Sequence, residues 1–512
     1  MPLYLGLDSS TQSITAIVID SDSREIVYEH GINFDAAFPE YGTSNGTLPG
    51  DDPQVVHAPP MIWVEALDEL MAHLADAVDV AQIVAVSGSG QQHGSIYLNS
   101  PIGPLNPDES LKAQIEPLLS RATSPIWMDS STNAQCNDIR DALGGTSATT
   151  AATGSNTFER FTGPQIRKFA QTEPAAYAST VTIALVSSFM SSILAGTTSP
   201  IDPGDGAGMN LMDIAARDWH PGALDATAEN LAAKLPPIAA SGTEIGTINP
   251  YFVGKHGFSA DCRCIVWSGD NPCSLIGLGL VQPGMLAVSL GTSDTLFGSM
   301  AECATDPNAE GHVFGSPNGD YMTLICFKNG SLAREAVKDS FGLDWAGFSE
   351  ALQSTTPGSG GLMLPWFEPE IVPHVLTPGV HRQNLDESDA AANCRAVVEA
   401  QMMSMRIHSE WMGIKPACIY VTGGASANAD ILQIMANVHG CPVHRFETTN
   451  SAALGAALMA LQGESGCAWT DAVTGFAEPV AGSEVVPQDE FVGVYHERVE
   501  AYRAFEASVL QA

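Results

Sequence analysis

Two segments of the chain share one pattern: an apolar strand, a turn of small hydroxyl residues, and a second apolar strand. The first runs through residues 4–7, the turn DSSTQS at 8–13, and residues 14–20. The second runs through residues 286–290, the turn GTSDT at 291–295, and residues 296–300. One such hairpin in each half predicts a duplicated architecture with a cleft between the halves. Five hundred and twelve residues are too many for one core, and two large domains are the simplest division, 1–250 and 251–512. Strands alternate with helical patterns, which places the fold in the α/β class.

Composition narrows the partners. Twenty-one Lys and Arg against 58 Asp and Glu leave a net charge of −37, which excludes the basic surface that nucleic acid requires. A small phosphorylated ligand is still allowed, because a local site with a divalent cation can hold it. The ten cysteines form no CxxC pair and no zinc-type cluster, so they read as buried free thiols of a cytoplasmic protein. Cys326 and Cys418 lie in strongly apolar contexts. The stretch VTIALVSSFMSSILAG at 181–196 is too short and too serine-rich for a membrane span and reads as a buried helix. Further helices are expected at 61–77, 164–172 and 174–180, and a small-residue loop at 144–156.

Several turns carry groups that can do chemistry. In DSSTQS, exposed backbone N–H groups can wrap a phosphate and Asp8 can hold a divalent cation, although an ordinary hairpin turn favours the same residues. Gly291 and Thr292 repeat those features. Residues 419–428 read as a strand and a glycine turn before a helix, where Gly423 and Gly424 let a flat or charged ligand approach. Asn450 reads as the cap of another helix. The segment GQQHGS at 90–95 offers neutral groups suited to a polyhydroxyl ligand, or is a turn with a solvated His. Asp270, in WSGDNP, is either a helix cap or a general base for a hydroxyl attacking phosphorus. No GxxxxGK[ST] and no GxGxxG after the first strand occur, which counts against P-loop and Rossmann proteins.

Taken in order, GLDSSTQS, SGSGQQHGSIYL, PIWMDSSTNAQC, TGSNTFERFTGPQI, DPGDGAGMNLMDI, WSGDNP, SLGTSDTLF, CFKNGSLAREAV and TGGASAN span nearly the whole chain. This set resembles the FGGY carbohydrate kinases. The resemblance implies two actin-like domains, akin to the Hsp70 ATPase domain, with the active site in the cleft between them. It also implies ATP and Mg²⁺ as cofactors and a sugar as acceptor. The QQHGS and ERFTG segments resemble members acting on D-xylulose rather than on glycerol. The resemblance makes Asp270 the base, and puts Asn271, Gln92, His93 and Arg160 on the sugar. It puts Asp8, Thr11, Gln12 and Ser13 at the phosphates and Mg²⁺, with Gly291 and Thr292 opposite. Trp345, Gly423, Gly424, Ala425 and Asn428 would hold the nucleotide; without the resemblance, Trp345 would read as a core aromatic and Arg160 as a surface ion pair.

One departure stands out: the family has Lys on the second strand of the first hairpin, where this chain has Thr15. Two alternatives are therefore carried, a kinase of the same family for another ketose or polyol, and a non-catalytic actin-like ATP-binding module. Sugar-dependent ADP release separates them. The oligomeric state is left open by the sequence, a homodimer included.

Overall fold

The computed structural model describes residues 2–447 and 450–511. The chain forms two compact units. Unit 1 comprises residues 1–281, 313–322 and 448–478, and unit 2 comprises 282–312, 323–447 and 479–512.

Unit 1 is built on a seven-stranded sheet. Its strands are β1 (Leu3–Ser9), β2 (Ser13–Asp20), β3 (Glu25–Asn33), β4 (Ile83–Gly90), β5 (Glu244–Thr247), β6 (Arg263–Ile265) and β7 (Ser268–Gly269). The order is β5-β6-β4-β1-β2-β3, with β7 also paired to β4. β1, β4 and β6 run parallel, and β1-β2-β3 form an antiparallel meander. β1 and β4 are buried along nearly their whole length, as expected for strands covered on both faces. Helix α1 (Pro60–Ala77) presents Trp63, Leu67, Leu70 and Leu74 to this core.

The helix Ser451–Ser465 returns to unit 1 from late in the chain. It packs on β1, β4 and α2 (Asp270–Gly277) through a face of Ala and Gly. A Cβ on Gly455 would lie 1.8 Å from the carbonyl oxygen of Cys273, so only glycine permits this approach.

Unit 2 centres on β8 (Met285–Leu290), antiparallel to β9 (Asp294–Met300) and parallel to β10 (Cys418–Thr422), which is itself parallel to β11 (Val443–Arg445). Helices α3 (Ser331–Ser340), α4 (Trp345–Ser354), α5 (Ala390–Ser409), α6 (Ala429–His439) and α7 (Asp489–Leu510) complete it.

The structure departs from the sequence reading at several points. The break between units falls at Val281/Gln282 rather than near 250, because β6 and β7 pair with β4 and carry Asp270 into unit 1. Residues 181–196 are a strand, Thr182–Leu185, followed by a helix, Val186–Ala195. No helix among the described residues is long and apolar enough to cross a membrane. The expected loop at 144–156 contains a helix, Thr146–Thr153. Its threonines bond back to carbonyls four residues earlier, Thr149 to Gly145 and Thr153 to Thr149, each at 3.0 Å. Asn450 stands at the N-cap of its helix as expected, but without a side-chain cap bond; its amide donates to Glu29 instead. Cys326 and Cys418 are only half-buried.

Candidate functional site

In unit 1 the site residues collect where β1, β4 and β7 end. Asp8 terminates the apolar run of β1 and is half-buried; Ser89 Oγ donates to its Oδ1 at 2.8 Å and Ser10 Oγ to its Oδ2 at 2.5 Å. Burial pushes its carboxyl up despite the two hydroxyls. Thr11 Oγ1 donates to Gln91 at 3.2 Å and accepts from Trp127 Nε1 at 2.8 Å. Gln12 is exposed at the turn, and its carbonyl accepts from Phe34 N at 2.9 Å. The turn is closed by Ser10 N donating to Ser13 O at 2.9 Å. Thr15 is buried on β2 directly across from Asp8.

Asp270 is the first residue of α2 rather than its cap, which is Gly269. Its Oδ1 accepts from Asn271 N at 2.8 Å and from Asn271 Nδ2 at 3.1 Å. Burial, and then the Asp8 carboxylate, raise its pKa to about 7. Asn271 Nδ2 also donates to Gln92 Oε1 at 2.8 Å, and Gln92 Nε2 to the carbonyl of Gly204 at 3.3 Å.

His93 follows with φ of +73°, a left-handed conformation unusual for a residue other than glycine. Its Nδ1 meets the Gly208 carbonyl at 2.9 Å and its ring stacks on Phe161 at 4.4 Å. Burial, and then Arg160, lower its pKa to about 3, so the ring is neutral at physiological pH. The Arg160 guanidinium lies over the rings of Phe158 and Phe161, 5.1 and 5.5 Å from their centroids. The geometry thus brings Asp8, Gln92, His93, Arg160, Asp270 and Asn271 into one network of contacts and mutual electrostatic influence.

The sequence reading did not single out Asp202, Asp205 or Trp127. Asp202 and Asp205 are fully buried beside this network, and Asp205 feels both Asp202 and Asp270. Burial holds the Asp205 carboxyl well above the usual range; Ser187 donates to one of its oxygens, and the other has no partner among the described residues. The available signal was two acids three positions apart within DPGDG, in an otherwise apolar and small-residue context.

Unit 2 holds a cavity of about 690 Å³. Gly291, Thr292, Trp345, Gly424, Ala425 and Asn428 all line it. Gly423 stands beside it at φ +85°, where a Cβ would lie 2.5 Å from the Leu290 carbonyl oxygen. Trp345 is 47% exposed, not a core aromatic, with Lys338 Nζ 5.3 Å from its ring centroid. Asn428 caps α6, accepting from Asp430 N and Ile431 N at 3.0 and 3.2 Å, and donates to Ser349 on α4 at 2.8 Å. Beneath the turn at 291–293, the fully buried Arg334 grips Asp294 with two bonds of 2.8 and 3.0 Å. Nothing local in the sequence signals this pair, because its partners lie 40 positions apart.

No cluster of three His, Cys, Asp or Glu suited to a metal occurs among the described residues. That is not a requirement for Mg²⁺, which takes one or two carboxylates and completes its shell with water and phosphate oxygens.

Comparison with known proteins matches residues 3–277 to the N-terminal domain of the FGGY family of carbohydrate kinases, and residues 286–463 to its C-terminal domain. The chain is 42% identical to the xylulose kinase of Rattus norvegicus, over 93% of this chain and 91% of that protein. It is 44% identical to xylulose kinase 2 of Arabidopsis thaliana, over 90% of this chain and 87% of that one. The crystal structure of xylulose kinase from Rhodospirillum rubrum shares the fold, with a TM-score of 0.83, 17% identity and 99% of each chain covered.

Proposed function

Since this chain belongs to the FGGY family of carbohydrate kinases, we propose that it transfers the γ-phosphoryl group of ATP to D-xylulose, giving D-xylulose 5-phosphate and ADP. The observation that carries the reading is Asp270: a half-buried carboxyl with a pKa near 7, at a helix N-terminus, bonded through Asn271 to Gln92. Asp270 takes the proton of the attacking hydroxyl as that oxygen bonds to phosphorus and the bond to the ADP oxygen breaks. A base with a pKa near the working pH accepts this proton and releases it again without a large penalty either way.

Gln92, His93, Arg160 and Asn271 hold the sugar hydroxyls. A neutral His93 and two amides recognise a polyol through hydrogen bonds rather than charge. In unit 1, Thr11, Gln12 and Ser13 are the phosphate-binding residues. In unit 2, Gly291 and Thr292 contact the phosphates of the nucleotide that Trp345, Gly423, Gly424, Ala425 and Asn428 hold. The 690 Å³ cavity supports the nucleotide assignment, because an aromatic edge and a glycine turn suit a flat base.

Asp8 would hold Mg²⁺, which when bound neutralises charge on the transferring phosphate oxygens. Its fit rests on a half-buried carboxylate with two serine hydroxyls beside it and no cationic partner among the described residues. Ten free cysteines support a reducing, cytoplasmic setting.

The test is coupled ADP release with ATP and Mg²⁺ over D-xylulose, D-ribulose, L-ribulose, L-xylulose, glycerol and D-arabinitol, with Asp270→Asn alongside. Selectivity for D-xylulose, and a loss of about 10²–10⁴ in kcat in the variant with sugar affinity retained, is the expected result. Turnover on another sugar overturns the acceptor, and near-normal turnover in Asp270→Asn overturns the base.

A further inference from the structure

Unit 2 contains a second cavity, of about 540 Å³, that shares no lining residue with the first. Its wall brings together Arg406 near the end of α5, Lys415 in the following loop, His439 at the end of α6 and His496 on α7, with Glu497 as the one acid. Such a concentration is unexpected in a chain with 21 Lys and Arg against 58 Asp and Glu. At least twelve of those 21 cations form ion pairs among the described residues, but Arg406 and Lys415 do not. Where carboxylates are so abundant, two cations without one, facing the same cavity, leave the countercharge to be supplied from outside.

Two further observations point to a ligand. His439 is 9% exposed, and its Nε2 has no hydrogen-bond partner among the described residues. Burial, and then Arg406, push the ring's pKa down to about 3, so it offers a neutral donor or acceptor. Arg406 is held in place by one bond, from Nη1 to the carbonyl of Val438, which leaves its remaining N–H groups for a guest. The other observation is Gly493 in the interior of α7. A Cβ there would meet nothing within 4 Å, so no packing demand explains a residue that weakens a helix. Its bare backbone forms part of the cavity wall.

We propose that this cavity binds a small molecule carrying a phosphate dianion, with Arg406, Lys415 and His496 around the phosphoryl group and His439 Nε2 donating to one of its oxygens. A dianion suits two full positive charges and convergent donors. The volume exceeds what bare phosphate fills and suits a phosphorylated sugar.

The experiment is calorimetric titration of the full chain, with ADP saturating the nucleotide side, using inorganic phosphate in one arm and D-xylulose 5-phosphate in the other. Lys415→Gln and Gly493→Leu are titrated in parallel, and turnover is measured in both as a check on folding. Binding in the wild type that weakens at least tenfold in both variants, with turnover unchanged, is the expected result. D-xylulose 5-phosphate binding at this site at least tenfold more tightly than phosphate assigns a sugar phosphate, and equal affinity assigns free phosphate. Absence of binding in both arms, or binding that neither variant alters, overturns the proposal.

Discussion

Asn271 donates its side-chain amide to Gln92 Oε1 at 2.8 Å and to Asp270 Oδ1 at 3.1 Å, joining the start of α2 to the turn that follows β4. The acid is thereby oriented by a neutral group. Among the described residues no cation pairs with it; burial and the neighbouring Asp8 raise its pKa to about 7. Such a base is unprotonated above neutrality and protonated below it. The expected pH profile of kcat/KM for the sugar therefore has an acid limb near 7, falling tenfold per unit below it. His93, with a pKa of about 3, contributes nothing to that limb. Steady-state rates from pH 5 to 9 should show the same limb in His93→Asn, and a limb that disappears in that variant would reassign it.

The same burial has a cost in stability. An acid whose folded pKa of about 7 exceeds its unfolded value of 3.8 holds a proton in the folded state that the unfolded state has shed. Its contribution favours folding at low pH and is lost as the pH rises from about 4 through 7, a change on the order of 4 kcal/mol for this shift. Asp270→Asn removes the charge and keeps the shape. Recovery of only ~1 kcal/mol raises Tm by about 1–2 °C at pH 8, with little change at pH 4. Calorimetric melting at the two pH values checks this, and an equal effect at both would be inconsistent with it.

Thr15 faces Asp8 across the β1–β2 ladder. Directly opposed side chains lie about 4.5–5.5 Å apart at Cβ, so a lysine at 15 would reach the Asp8 carboxylate and the space beyond it. Thr15→Lys is expected to lower KM for ATP by roughly 3- to 10-fold, about 0.6–1.4 kcal/mol, while KM for the sugar stays fixed. An unchanged KM for ATP would mean that position 15 does not act on the phosphates.

Trp345 exposes nearly half its surface at the rim of the 690 Å³ cavity. Stacking of a base on such a ring is worth about 1–3 kcal/mol. Trp345→Ala should weaken ADP binding roughly 5- to 150-fold by titration calorimetry and leave D-xylulose binding unchanged. Equal affinity for ADP would place the base elsewhere.

What could be read from the chain was local. The hairpins at 8–13 and 291–295, the glycines at 423–424 and the acid after WSG each announce themselves within a few residues, because tight turns demand small or hydroxyl-bearing side chains. What could not be read was pairing across long separations. Asp205 stands out only once folding leaves one of its oxygens without a partner among the described residues, and Arg334 only once it meets Asp294. The division between units was misplaced for the same reason: β6 and β7 reveal their allegiance only by aligning with β4 nearly 180 residues earlier. The threonine-rich helix at 146–153 escaped notice because its residue types favour turns, and their hydroxyls are satisfied inside the helix itself.

The glycine contact between α2 and the helix Ser451–Ser465 bears on how the protein is made. A ribosome releases the chain from its N-terminus, and the helix that carries Asp270 emerges roughly 190 residues before the end of the helix that covers it. At about 5–20 residues per second, that is an interval of roughly 10–40 s. During it, β1, β4 and α2 lack the cover that Ala453, Ala457 and Leu458 later provide. Unit 1 therefore cannot close in order of synthesis. A fragment ending near residue 281 lacks the helix Ser451–Ser465 that covers β1, β4 and α2.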